Sequence, residues 1–191
     1  IGHSTMNHLG TYMIMKGAEN PFIMHIPGFN GFLSPRYGIE GNSLNISSWR
    51  DNTVLNISSE NIIEIEFKNF KDLNKSFKLY PNEYKLTDFK NNFFKSNSIK
   101  TLNYINNFSN LKCESFKDIT INKNDILYNI NIKTKLKLFN LKVYSFNKKN
   151  KNANNSAPNV ERYYAKINDG EVILIQKYVF NKLFISIDDL K

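Results

Sequence analysis

Two stretches of strict alternation constrain this chain more than anything else in it. From Asn61, the side chains of Ile63, Ile65 and Phe67 fall on one face of an extended chain and Glu64 and Glu66 on the other. The same period returns between Ile126 and Ser145, with Ile126, Tyr128, Ile130 and Ile132 sharing one face and Phe139, Leu141 and Val143 one face of the next strand. Side chains of a strand alternate across the sheet, so a period of two predicts half-buried antiparallel strands covering a core on one side. Lys133 to Lys137 supplies the turn between the second pair, and Phe77 with Leu79 continues the first.

Further hairpins are predicted at both ends. Thr11 to Lys16 and Phe22 to Ile26 read as strands around Gly17-Ala18-Glu19-Asn20-Pro21, and Pro27-Gly28 stops the second. Near the other end, Tyr163, Ala165 and Ile167 lead through Asn168-Asp169-Gly170 into Val172 to Ile175, where Asp-Gly is a strong hairpin signal. Phe180, Leu183, Phe184 and Ile185 then cap the sheet. One helix stands out, from about 98 to 111: Leu102, Ile105 and Phe108, and Tyr104, Phe108 and Leu111, keep helical spacing. Asn147 to Asn159, rich in Lys, Asn, Ala and Ser, reads as a mobile loop. The expectation is one α+β domain over 1–191, mainly an antiparallel sheet built from hairpins, with one amphipathic helix packed on it.

Composition narrows function by exclusion. The 31 Asn, 23 Lys and 22 Ile against 3 Arg point first to a coding bias. The formal charge of +9 raises nucleic acid or an acidic membrane as partners. Lys without Arg weakens that reading, because phosphate and base recognition lean on the bidentate guanidinium. Charge concentrates in residues 68–151, where 18 basic residues face 6 acidic ones, but these lysines alternate with apolar residues and read as the solvated side of strands. Nucleic acid is therefore not expected as a partner. A single cysteine, Cys113, excludes an internal disulfide and a multi-cysteine zinc site, and its place just after a helix end disfavours a thiolate.

No catalytic motif is present: neither a Gly-x-Ser-x-Gly elbow, nor a Gly-rich phosphate loop, nor His-Glu-x-x-His. His3, His8 and His25 could supply three imidazoles, but their spacing is poor for a metal and no carboxylate pairs with them, so no metal or cofactor is expected. His25, on the Ile23 side of its strand, reads as a hydrogen-bonded structural histidine. A metal-dependent hydrolase using His25 with His3 or His8, and a basic nucleic-acid binder, are the alternatives to a non-enzymatic module. No small-molecule ligand is expected.

The stretch from His25 to Tyr37, followed by Trp49-Arg50-Asp51, gathers two of the three arginines, the only tryptophan and several aromatics on an irregular backbone. Loop-borne binding sites have this makeup. His25, Phe29, Arg36, Tyr37, Trp49 and Arg50 are the candidate binding residues. An equally good reading has Arg50 pairing with Asp51 or a buried carbonyl while Trp49 packs beneath the loop.

At these residues the chain resembles domain-of-unknown-function family 4340, found in envelope-associated bacterial proteins, many from Bacteroidetes. The likeness lies in Gly10-Thr11-Tyr12-Met13, in His25-Ile26-Pro27-Gly28-Phe29 with Leu33-Ser34-Pro35-Arg36-Tyr37, and in Trp49-Arg50-Asp51. It continues in Asn110-Leu111-Lys112-Cys113-Glu114 and from Arg162-Tyr163-Tyr164-Ala165 to Val179-Phe180-Asn181-Lys182-Leu183, so that it spans nearly the whole chain. The resemblance implies an accessory domain facing the cell envelope, auxiliary to an ABC-type transport or gliding-motility system, with an envelope protein as partner and no catalytic residues. The start at Ile1 fits the C-terminal portion of a longer protein. Membrane attachment would then come only through an N-terminal anchor upstream.

Overall fold

The computed structural model describes residues 1–40, 43–44, 49–148 and 157–191. Its contacts divide the chain into two compact units, Ile1–Asp51 and Asn52–Lys191, where the sequence alone reads as one domain.

In the second unit, nine strands form one sheet that is antiparallel throughout. Two meanders meet at its centre. The first runs β6 (Ile62–Asn69), β7 (Phe77–Tyr80), β8 (Lys85–Asp88) and β9 (Phe93–Lys95) towards one edge. The second runs β12 (Ile126–Thr134), β13 (Leu138–Lys148), β14 (Ala157–Ile167) and β15 (Val172–Gln176) towards the other, where β11 (Ser115–Lys117) closes the sheet. β6 pairs with β12, joining Ile65 to Ile132 and Phe67 to Ile130. A separate pair joins β5 (Thr53–Leu55) to β10 (Leu111–Lys112).

Alternation does what the sequence pattern requires. Ile65, Phe67, Leu79, Ile130, Ile132, Leu141, Val143, Ala165 and Ile175 are all buried on one face. Burying such side chains contributes roughly 1.5–3 kcal/mol each, an upper figure because the unfolded chain already hides some of that surface. The pattern fails at two points. Between Ile126 and Tyr128 the pairing with β13 shifts register, and Leu127 rather than Ile126 packs against the core. Ile62, rather than Ile63, is buried, because the pairing with β12 shifts register between Lys133 and Thr134 and the extra residue reverses the side-chain parity.

The helical prediction is only partly met. α1 spans Ser98–Asn106, capped by the Asn97 side chain, which accepts from the Lys100 N–H. It buries Thr101, Tyr104 and Ile105 but leaves Ile99 and Leu102 exposed. The chain then leaves helical geometry, Asn110 takes a positive φ, and Leu111 enters β10 opposite Leu55. The apolar period to 111 thus joins a short helix to a strand, since Phe108 and Leu111 serve the same core by different routes. A second helix, α2 (Lys177–Phe180), was not anticipated as such, although Phe180 and Leu183 do bury against the core as expected.

Of the expected loop 147–159, residues 147–148 end β13 and 157–159 begin β14. The remainder, 149–156, lies outside the described residues. The last hairpin turns on Asn168 and Asp169, both at positive φ, with the Gly170 N–H donating to the Ile167 carbonyl. The Asn-Asp pair therefore makes the turn that Asp-Gly advertised, and glycine follows it.

The first unit is built differently. β1 (Thr11–Met13) and β2 (Phe22–Met24) form a two-stranded sheet with Tyr12 opposite Ile23. Both strands are shorter than the predicted Thr11–Lys16 and Phe22–Ile26. A second ribbon pairs β3 (Ile39–Glu40) with β4 (Ser43–Leu44).

Candidate functional site

All six candidate binding residues belong to the first unit, which holds three basic and three acidic residues and so has no net charge. Local chemistry sets their positions. Ile26 to Phe29 forms a tight turn: Pro27 fixes its first corner, Gly28 takes a φ of 77° at its second, and the Phe29 N–H donates to the Ile26 carbonyl at 3.0 Å. Ser34–Tyr37 then forms a single 3-10 turn with proline near its start, closed by Gly38 at a φ of 66°.

Two hydrogen bonds, one buried and one part-buried, fasten that turn. The Leu33 N–H donates to the Thr11 hydroxyl at 2.6 Å, and the Ser34 hydroxyl donates to the Gly2 carbonyl at 2.9 Å. Thr11 is fully buried, so its hydroxyl lies where water cannot replace it.

On this frame the candidates gather into two groups. His25 and Phe29 line a cavity of about 680 Å³ together with Tyr12, Ile23, Met6 and Leu9. The Arg36 guanidinium sits 4.6 Å from the centre of the Phe29 ring, a cation–π contact that fixes the ring's outer face. The second group is a stacked pair: the Tyr37 and Trp49 rings lie 5.7 Å apart at 28°, and the Trp49 indole N–H donates to the Tyr37 carbonyl at 2.7 Å. Trp49 remains 55% exposed. It stacks on the outside of the turn and does not pack beneath it, which decides that half of the two readings of Trp49 and Arg50. Arg50 is exposed.

Histidine 25 departs from expectation. It lies just past β2, exposed on the cavity wall, where the sequence reading has a hydrogen-bonded structural histidine. It shares that wall with Ile23 and with its own neighbour Ile26. His8 is 5.7 Å from the Phe32 ring and bonded to the Ser4 hydroxyl, and neither His3 nor His8 lines the cavity that His25 does. Among the described residues no group of three or more His, Cys, Asp or Glu is placed to hold a metal ion. Cys113 is buried.

The cavity's aliphatic wall was not legible as a site. Tyr12, Ile23 and Ile26 read as ordinary hairpin residues and Met6 and Leu9 belong to no predicted element, yet all five are at least 41% exposed. The available signal was the absence of charge from Thr11 to Met15 and from Phe22 to Ile26, where a strand with a solvated face would carry some.

The perturbed titrations lie in the second unit and follow from structural pairs. A hydrogen bond from Arg162, at 2.7 Å, holds the Glu114 carboxyl below the ordinary carboxylate range, and Lys142 does the same for Asp169. Burial pushes the Tyr104 and Tyr163 hydroxyls up; Tyr104 donates to the Leu183 carbonyl and Tyr163 to Asn181.

No protein-family model, curated protein or solved structure matches this chain. No helix among the described residues is long and apolar enough to cross a membrane.

Proposed function

We propose that this chain is a non-enzymatic interaction module, and that its first unit is the part that recognises a protein partner. The observation that carries the reading is the exposed Tyr37–Trp49 stack beside the Arg36-capped Phe29 ring and the apolar cavity. Tyr, Trp and Arg are the residues that concentrate binding energy at interfaces, because they offer large, rigid contact area with a polar handle. A solvent-exposed indole already held by one hydrogen bond and one ring contact loses little freedom on binding. The resemblance to domain-of-unknown-function family 4340 supports an envelope protein as that partner, in an accessory role beside an ABC-type transport or gliding-motility system.

The basic second unit does not favour the nucleic-acid alternative. Its outward face interleaves acid and amide with lysine: Lys78 lies 3.8 Å from Glu66, Lys142 is 2.7 Å from Asp169, and Asn140 donates to both Asn129 and Asn131. A hydrolase built on His25 has no second histidine on its cavity wall.

The test is capture from native membranes by the tagged full chain, compared with Trp49→Ala and Phe29→Ala. Both positions are exposed or half-exposed, so the fold should survive, as an unchanged melting transition would verify. The reading requires a defined protein whose recovery falls by about tenfold in each variant, the effect of losing ~1.4 kcal/mol. Recovery that is the same for all three chains would overturn it.

A further inference from the structure

The hairpin of the first unit has one covered edge and one open one. On the β1 side, the Tyr12 N–H donates to the His3 carbonyl at 3.0 Å and the Tyr12 carbonyl accepts from the Gly2 N–H at 2.7 Å. Tyr12 therefore directs both polar backbone groups away from β2. Its register partner Ile23 must direct its own N–H and C=O away from β1, onto the outer edge of β2. The sheet has only these two strands, so nothing pairs with that edge among the described strands. Carried one step past the end of β2 at Met24, the same alternation puts the backbone groups of His25 on this edge too.

Natural edges are blunted by short length, by charge, lysine above all, by proline or by a bulge. This one is short and has a proline on each side, but between them Phe22-Ile23-Met24-His25-Ile26 carries no acidic residue, no lysine and no arginine. It is also nearly symmetric about Met24. Turned end for end, the segment sets Ile23 against His25, Phe22 against Ile26, Met24 against Met24 and Pro21 against Pro27. The two flanking prolines have no N–H to leave unpaired, and Ile23 and His25 each offer one donor and one acceptor.

We propose that this edge pairs with the same edge of a second copy of the chain, antiparallel, about a twofold axis at Met24. The Ile23 N–H of each copy donates to the His25 carbonyl of the other, and each His25 N–H to the other's Ile23 carbonyl. Two hairpins become one four-stranded sheet, which has the strand number that an isolated pair lacks for stability in water. A twofold contact of this kind closes on itself and does not propagate. Phe22, Met24 and Ile26, exposed by 59%, 47% and 44%, meet their symmetry mates on one face, and Ile23, exposed by 56%, lies on the other. At about half of ~200 Å² apiece, these four side chains offer roughly 400 Å² per copy, against ~800 Å² in a standard interface. The dimer is consequently weak and depends on concentration. The pairing uses the edge whose Ile23 and His25 also line the cavity, and leaves the Tyr37–Trp49 stack uninvolved, so a Met24→Lys chain that stays monomeric yet still captures the partner would separate the two.

The test places a cysteine on the axis. Met24→Cys in the full chain should form a disulfide-linked dimer under mild oxidation, because the two positions lie directly opposite in a non-hydrogen-bonded pair. Tyr12→Cys, two strands removed from its mate, and the wild-type chain with its buried Cys113 should not. In sedimentation, Met24→Lys and Met24→Glu should each abolish the concentration-dependent rise in mass of the wild type, and an equimolar mixture of the two should restore it. A wild-type chain that shows no rise, a Met24→Cys yield no greater than that of Tyr12→Cys, or a Met24→Lys chain that dimerises like the wild type would each refute the pairing.

Discussion

Thr11 shows how much of the first unit hangs on single side chains. Its hydroxyl, fully buried, takes the Leu33 N–H and so ties β1 to the turn that carries Arg36 and Tyr37. Thr11→Val keeps the shape but strands that N–H, at a cost of about 1–3 kcal/mol. Hydrogen exchange followed by mass spectrometry should show faster exchange over Leu33–Gly38 in this variant, with the strands of the second unit unchanged. At Glu114 the effect is a matter of pH. Its carboxyl is held low by the hydrogen bond and charge of Arg162, so it adds stability above its ordinary value of 4.5 and loses that contribution as the pH falls through and below it. The pair is partly exposed and screened by solvent, so its contribution is small. Glu114→Gln should accordingly melt slightly below the wild type at neutral pH, and the gap in melting temperature should close below about pH 4.

At the scale of elements, close approach and register decide what pattern alone does not. Gly10 is the clearest case: a Cβ added there would meet the Ile23 γ-methyl at 2.5 Å. The branched isoleucine is stiff at its first torsion, so Gly10→Ala must displace β2 or force Ile23 off its rotamer, costing about 1–3 kcal/mol. A lower first transition or faster exchange in Tyr12 to Met24 would register it. The central strands β6, β12 and β13 were legible because each is at least eight residues long and half-buried, which gives periodicity room to show. β8, β9 and β11 were not, since three or four residues such as Ser115-Phe116-Lys117 carry only one or two apolar side chains and no detectable period. The end of α1 was misplaced because Leu111 keeps the helical phase by coincidence while hydrogen bonding to β5. For the site, the aromatic and arginine composition of 25–50 was visible, but the pairing of Arg36 with Phe29 and of Tyr37 with Trp49 depends on two glycine-closed turns whose geometry no local spacing encodes.

Across the whole molecule, the two units differ in kind. The second has a buried core of some two dozen residues, an ion-paired outer face and all of the chain's excess positive charge. The first is electroneutral, yet contributes Ile14, Met15, Phe22, Ile23, Met24, Trp49 and other large apolar side chains to the exposed surface. These exposed apolar side chains are why the proposal assigns recognition of a partner to the first unit. The most direct measurement places a photo-crosslinking amino acid at Trp49 and, in a second chain, at Tyr178, which is 94% exposed in the second unit. Irradiated in native membranes and read by mass spectrometry, the Trp49 position should give a defined adduct with one envelope protein that the Tyr178 position does not. No adduct at Trp49, or the same adducts from both positions, would contradict the assignment of recognition to the first unit.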